Sequence, residues 1–170
     1  VGRRRDGALA IRFGMGVVKN VGSSAVEGIG AAREKDGPYR DLEDFCKRAD
    51  LSAANSRAIE HLARCGAFDL LGYDRGTLVM NAERLVGLAK RERELRESGQ
   101  STMFDLFGSQ VDTPLPALEL EPAPARKEDM LAWEKELLGV YVSDHPFKPV
   151  ASDVARYTSH QISEIGMELK

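Results

Sequence analysis

Residues 11–34 read IRFGMGVVKNVGSSAVEGIGAARE, and the way this stretch divides decides the fold. Residues 16–20 leave room for one short helical turn. Val21-Gly22 makes a tight turn, and Ala25, Val26, Ile29 and Ala32 then recur at helical spacing. Ser23 or Ser24 is placed to cap the second helix. Gly22 is where the main chain is expected to reach positive φ or to press against another backbone. A helix that opens behind such a turn carries N–H groups with no intrahelical acceptor, which suit a phosphate oxygen through hydrogen bonds and the helix dipole. Lys19 and Arg33 add positive charge. The candidate phosphate-binding set is therefore Lys19, Asn20, Val21, Gly22, Ser23 and Ser24. An ordinary helical hairpin packed on a core fits the same glycine pattern, and the pattern alone does not separate the two.

Working outward, the fold class reads as mostly α, with no sheet beyond a few short strands. Residues 1–13, with Arg3, Arg4 and Arg5 ahead of an Asp6-Gly7 turn, form an entry strand or loop. Gly37-Pro38 ends the helix that follows the glycine turn. Residues 42–48 set Leu42, Phe45 and Cys46 on one face, and Asp41, Glu43 and Asp44 complement the dipole at the helix start. Residues 54–65 turn Ile59, Leu62 and Ala63 inward and leave His61 a tolerated polar residue among alanines and leucines; Gly66 ends the helix. Residues 77–97 read as one long helix, about 30 Å at 1.5 Å per residue. Its first half buries Leu78, Leu85, Val86 and Leu88. Its second half is a solvated projection in which Lys90/Glu94, Glu92/Arg96 and Arg93/Glu97 are opposite charges four apart.

Residues 99–126 hold four of the seven prolines and little periodicity, the pattern of an extended, partly mobile linker. This divides the chain into a module at 1–98, a linker at 99–126 and a rear part at 127–170. The rear part has a helix at 128–138 with Met130, Leu131, Trp133, Leu137 and Leu138 on a wide apolar face, ended by Gly139, and a compact loop at 140–149. Inside the linker stands Gln100-Ser101-Thr102-Met103-Phe104, followed by Asp105-Leu106-Phe107. Met103, Phe104, Leu106 and Phe107 have no local core, and leaving them wet costs roughly 25 cal/mol per Å². Either they fold back on their own protein or they enter a partner's pocket as anchors, with Gln100 adding amide hydrogen bonds.

Composition narrows the function classes. The net charge of −3 hides an asymmetry, since residues 1–98 carry 18 Lys and Arg against 15 Asp and Glu, whereas 99–170 carry 6 against 12. Contact with phosphate must therefore be local and confined to the front. No apolar run approaches the ~20 residues of a membrane helix, and no signal-peptide pattern opens the chain, so a cytoplasmic location without membrane contact is expected. Cys46 and Cys65 read as buried thiols rather than a disulfide. Three histidines without partners at ligand spacing give no metal signal. Ser143, Asp144 and His145 are adjacent in sequence as a turn would be, whereas a triad is assembled in space. No catalytic residues are assigned.

The glycine turn resembles a helix-hairpin-helix element, which holds DNA by its backbone without reading sequence. QSTMF resembles the peptide by which bacterial proteins grip the sliding clamp. In order along the chain, IRFGMGVVKNVG, DLEDFCKRADL, NSRAIEHLARCGAFDLLG, QSTMF and LAWEKELLGVYVSDHPF are similar to successive elements of the alpha-subunit family of bacterial DNA polymerase III. Asp144 stands where that family has glycine. The resemblance covers residues 11–147 and implies a non-catalytic piece of a replicative polymerase: the end of the fingers and the hairpin module at 1–98, the clamp tether, and a rear part leading toward an oligonucleotide-binding barrel. It implies double-stranded DNA and the beta subunit clamp as partners, other replisome subunits through the parent, and clamp contacts through Gln100, Ser101, Thr102, Met103, Phe104, Leu106 and Phe107. It implies no cofactor in this segment and Mg²⁺ for the parent's nucleotidyl transfer, whose carboxylates lie upstream. Three other readings are a hairpin module from a repair nuclease or ligase, a protein-interaction scaffold, and an error-prone polymerase relative. The first does not account for QSTMF together with LLGVYVSDHPF.

Overall fold

Apolar residues at helical spacing become α1 (Ser23–Asp36), α2 (Leu42–Arg48), α3 (Ser56–Arg64), α4 (Arg75–Met80), α5 (Ala82–Glu97), α6 (Lys127–Leu138) and α7 (Ala151–Val154) in the computed structural model. It describes residues 2–3, 9–10, 13–98 and 118–157. The entry segment contributes a two-stranded antiparallel ladder, β1 (Gly2–Arg3) and β2 (Leu9–Ala10), in which Gly2 pairs with Ala10. The architecture is mostly α, as the periodicity predicts.

Leu42, Phe45, Cys46, Leu51, Ile59, Leu62, Leu78, Leu85 and Leu137 are almost completely buried and join α2, α3, α4, α5 and α6 around one core. Phe45 sits edge-on between Tyr39 and Phe68, with ring centroids 5.1 and 5.0 Å away, the arrangement aromatic quadrupoles favour. Arg48 closes the far end of α1. Its guanidinium donates to Ala32 O at 3.2 Å and Gly37 O at 2.7 Å, and pairs with Asp44 at 2.7 Å. Asp44 therefore does more than complement a dipole: it is a buried ion partner. Burial pushes its carboxyl up, but the Arg40 N–H and the Arg48 guanidinium outweigh that and hold it below the usual range. Gly28, midway along α1, is the glycine that presses against another backbone, since a Cβ there would meet Asp50 O at 2.3 Å.

The long helix read over 77–97 is two helices. The break falls at Asn81, whose side-chain amide donates to Thr77 O at 2.8 Å and Glu121 O at 2.9 Å and whose carbonyl accepts from Glu121 N at 3.1 Å. An asparagine that bonds main chain locally competes with the helix ladder, and hydrophobic spacing does not register a one-residue interruption. Ala89, rather than Leu88, is buried in α5. The charged half of α5 is fastened at one point, where Arg93 bonds Asp50 and Glu97, each at 2.6 Å.

Residues 118–126 are extended, as expected of a linker, but they are held against α4. Ala123 N donates to Thr77 Oγ1 at 3.1 Å and Ala125 N to Asp74 Oδ1 at 2.8 Å. Gly76 makes this approach feasible, because a Cβ there would meet Ala123 O at 2.2 Å. Beyond this strap, α6 is fixed by a buried ion pair, Arg75 Nη1 to Glu134 Oε1 at 2.8 Å, with Asp69 taking the rest of the guanidinium fork at 2.7 and 2.9 Å. The second Glu134 oxygen accepts from Val142 N at 2.7 Å and Ser143 N at 3.0 Å, so α6 also organises the loop that follows it. Burial pushes the Glu134 carboxyl up, but these N–H groups and Arg75 outweigh it and hold it below the usual carboxylate range.

Candidate nucleic-acid interface

The glycine turn is built from its ends inward. Met15–Val17 form one 3₁₀ turn, and Val18 and Val21 are buried, which pins the chain on either side of exposed Lys19 and Asn20. The left-handed residue of the turn is Asn20, at φ 64, and not Gly22. Asparagine tolerates this region because its short polar side chain carries a small steric penalty there. Gly22 is extended at φ −71, ψ 149, and a Cβ on it would meet nothing within 4 Å. Its own conformation does not require glycine; what the missing side chain provides is open space in front of the helix.

α1 begins at Ser23, with Gly22 in the capping position and no side-chain cap, so the expected Ser23 or Ser24 cap is not formed. The helix starts earlier than its first apolar residue, which places both serines inside the first turn. Val26 N is the first to find a helical acceptor, Gly22 O at 3.2 Å. The N–H groups of Ser23, Ser24 and Ala25 lie ahead of it, the unsatisfied donors every helix opening carries. Three other helices, α2, α3 and α4, close theirs with a side chain, whereas α5, α6 and α7 have no side-chain cap but carry an acid in the first turn. Asp41 accepts from Asp44 N at 2.8 Å, Asn55 from Ala58 N at 2.8 Å, and Asp74 from Gly76 N at 2.8 Å. α1 also has no acidic residue in its first turn. Ala25 is buried, so α1 presents the exposed Ser23 and Ser24 and the positive dipole end to an external acceptor.

Sequence reasoning missed the residue that holds this turn from beneath. His61, only 7% exposed, sets Nδ1 2.9 Å from Lys19 O. A carbonyl only accepts, so Nδ1 carries the proton. From the other side Lys19 N donates to Leu137 O at 3.2 Å. A histidine within an apolar helical pattern was the available signal, but its partner is 42 residues away in sequence. Arg33 does not join the site. It lies in the last turn of α1, roughly 15 Å along the axis from the opening at 1.5 Å per residue.

The structure thus brings Lys19, Asn20, Gly22, Ser23 and Ser24 to one exposed corner, with Val21 buried behind them. Gln100, Ser101, Thr102, Met103, Phe104, Leu106 and Phe107 lie outside the described residues. Ser143, Asp144 and His145 serve the loop: Ser143 N bonds Glu134, Asp144 pairs with Lys127 and Lys148, and His145 Nδ1 accepts from Phe147 N at 3.1 Å. The Lys127 ammonium and the His145 N–H hold the Asp144 carboxyl well below its usual range. Position 144 does not adopt positive φ, so aspartate fits where glycine was expected. Burial pushes the Cys46 thiol up to about 12 and that of Cys65 to about 11, which keeps both protonated. Among the described residues no group of three or more His, Cys, Asp and Glu side chains could hold a metal ion, and no helix is long and apolar enough to cross a membrane.

Residues 3–78 match a family model described as a helix-hairpin-helix motif. Across its length the chain is similar to the DNA polymerase III subunit alpha of Thermus aquaticus, 40% identical over 161 residues, which is 94% of this chain and 12% of that protein. The subunit of the same name from Saccharopolyspora erythraea is 36% identical over 159 residues, 91% of this chain and 13% of that protein. The one from Campylobacter jejuni subsp. jejuni is 38% identical over 144 residues, 84% of this chain and 12% of that protein. The chain therefore spans about an eighth of the length of the curated relatives it matches.

Proposed function

We propose, from the premise that this chain is a segment of the bacterial DNA polymerase III alpha-subunit family bearing its helix-hairpin-helix module, that it grips duplex DNA by the sugar-phosphate backbone. The observation that carries this reading is the open N-terminus of α1: exposed, uncapped, without an acidic first turn, and flanked by Lys19. A phosphate oxygen completes the N–H groups of Ser23 and Ser24, the exposed residues of the first turn, and Lys19 and the dipole supply the charge. Such contacts position the duplex without reading its bases. α1 differs from α3, which Asn55 caps, and from α5 and α6, which are uncapped but carry acids in the first turn.

The same segment tethers the parent polymerase to a sliding clamp through residues 100–107. Gln100, Met103 and Phe104 act as main anchors, and Leu106 and Phe107 as secondary ones. A backbone grip and a peptide grip on one chain each raise the effective concentration of the other. Nucleotidyl transfer, with its Mg²⁺ ions and carboxylates, belongs to other parts of the longer protein, which works in the cytoplasm among further replisome subunits.

Fluorescence anisotropy with duplexes of unrelated sequence tests the DNA reading. Lys19→Glu is expected to weaken binding to all of them alike and to flatten the salt dependence by about one phosphate contact. Strong sequence preference, or indifference to both Lys19→Glu and salt, rules the reading out. Titration of a peptide spanning 98–109 against purified clamp tests the tether. Phe104→Ala is expected to cost on the order of 2 kcal/mol or more and Leu106→Ala less. The reverse order moves the anchor to Leu106-Phe107, and absence of binding removes the tether.

A further inference from the structure

We infer that His61 is a positioning residue for the DNA-binding turn, acting together with the last turn of α6 on the two peptide groups that flank Lys19. This rests on the backbone-grip reading and extends it to two elements that do not face the duplex. Both main-chain polar groups of Lys19, which belong to the successive peptides on either side of it, are bonded: its carbonyl accepts from His61 Nδ1 at 2.9 Å, and its N–H donates to Leu137 O at 3.2 Å. Both partners come from buried, well-packed positions, since His61 is 7% exposed and Leu137 is 2% exposed. Asn20 follows directly in the left-handed region, where the chain reverses into the opening of α1. Two successive peptide planes, each held by a bond to the core, cannot roll freely about Lys19, and the direction of the N–H groups four and five residues later depends on them. The Val17 N to Gly14 O contact at 3.1 Å and the Val18 N to Met15 O and Val21 N to Val18 O contacts, each 3.2 Å, are local and shape the turn without orienting it against the core.

The consequence is preorganisation. A turn held before binding loses less conformational freedom when the phosphate arrives. His61 makes no phosphate contact, so its removal weakens binding without changing the number of ions released. That separates it from Lys19, whose loss changes the salt slope.

The test compares the full chain with His61→Asn and His61→Gln. The asparagine amide nitrogen falls near the position of Nδ1 and can restore the donor to Lys19 O. The glutamine amide is displaced toward Nε2 and cannot. Both variants are polar and of similar bulk, so general damage to the core acts on both, and urea midpoints monitor it. The expected result for His61→Gln is an affinity for duplex DNA about 10-fold lower with an unchanged salt slope, and for His61→Asn an affinity within about 2-fold of the parent. Faster amide hydrogen exchange at residues 19–25 in His61→Gln than in His61→Asn, at matched stability, supports the assignment independently. Equal affinities for the two variants, or a reduced salt slope in His61→Gln, overturn it. If Lys19→Glu also leaves binding intact, the backbone-grip reading fails instead. If Lys19→Glu weakens binding while His61→Gln does not, only the positioning role fails.

Discussion

Two corners of this molecule treat main-chain polar groups in opposite ways. At the opening of α1 the chain leaves donors bare: no cap, no acid, and a glycine where a capping side chain would stand. At the junction of α4, the strap and α6 the main-chain groups are met by side chains. Asp74, Thr77, Asn81 and Glu134 accept from Ala125, Ala123, Glu121, Val142 and Ser143. The closed corner is where stability is concentrated, because each buried polar group lost there leaves a partner unsatisfied. The open corner adds little to stability and is free to interact with something else. Function and stability should therefore respond to different substitutions.

The largest effect should come from breaking the closed corner. Glu134→Ala removes the buried partner of Arg75, leaving it only Asp69 and the Arg64 carbonyl, strips Val142 N and Ser143 N of their acceptor, and is expected to cost about 3–5 kcal/mol in urea denaturation. The same corner carries an acid sensitivity. The folded Glu134 pKa is depressed, so its contribution is present above the unfolded value of about 4.3 and is lost as pH falls through the lower folded value. Glu134→Gln should blunt that acid loss, and an unchanged acid limb would separate Glu134 from it.

Closing the open corner should produce the next effect, and on binding alone. Gly22→Asp gives α1 the kind of cap that Asp41 gives α2 and adds a negative charge in front of the donors. Duplex affinity is expected to fall by roughly 2 kcal/mol, about 30-fold, while stability holds or rises by a few tenths of a kcal/mol. An intact affinity in anisotropy titrations would mean that the phosphate sits elsewhere. The smallest effect should come from opening a closed helix. Asn55→Ala removes the cap of α3 and should cost about 1 kcal/mol of stability, with duplex affinity unchanged. A matching loss of affinity there would erase the distinction between the two kinds of helix opening.

Periodic features were legible from sequence alone. α2 falls on the expected residues, α3 and α6 fall within two residues of theirs, and Leu42, Phe45, Ile59, Leu62 and Leu137 are buried as their spacing predicts. The site residues around Gly22 were legible as a group, because a glycine turn ahead of a helical period is a local signal. Their roles were not. Positive φ fell to Asn20 and backbone approach to Gly28, because both depend on which element packs opposite. The Arg75–Glu134 pair joins residues 59 apart, and neither neighbourhood marks its charge as buried. The break at Asn81 depends on the main chain of Glu121, 40 residues away, which no local pattern in 77–97 encodes. Interactions over long sequence separations decided what local periodicity could not.

The strap has a further consequence for how the chain between α5 and residue 118 is attached. Both ends of that segment are anchored to the same packed body, Ser98 by the end of α5 and the far end by the strap and α6. It follows that continuity of the chain there is not what holds the rear part to the front. A chain cleaved once between 99 and 117 should still elute from gel filtration as a two-fragment complex, and it should separate when Glu134 is replaced by alanine.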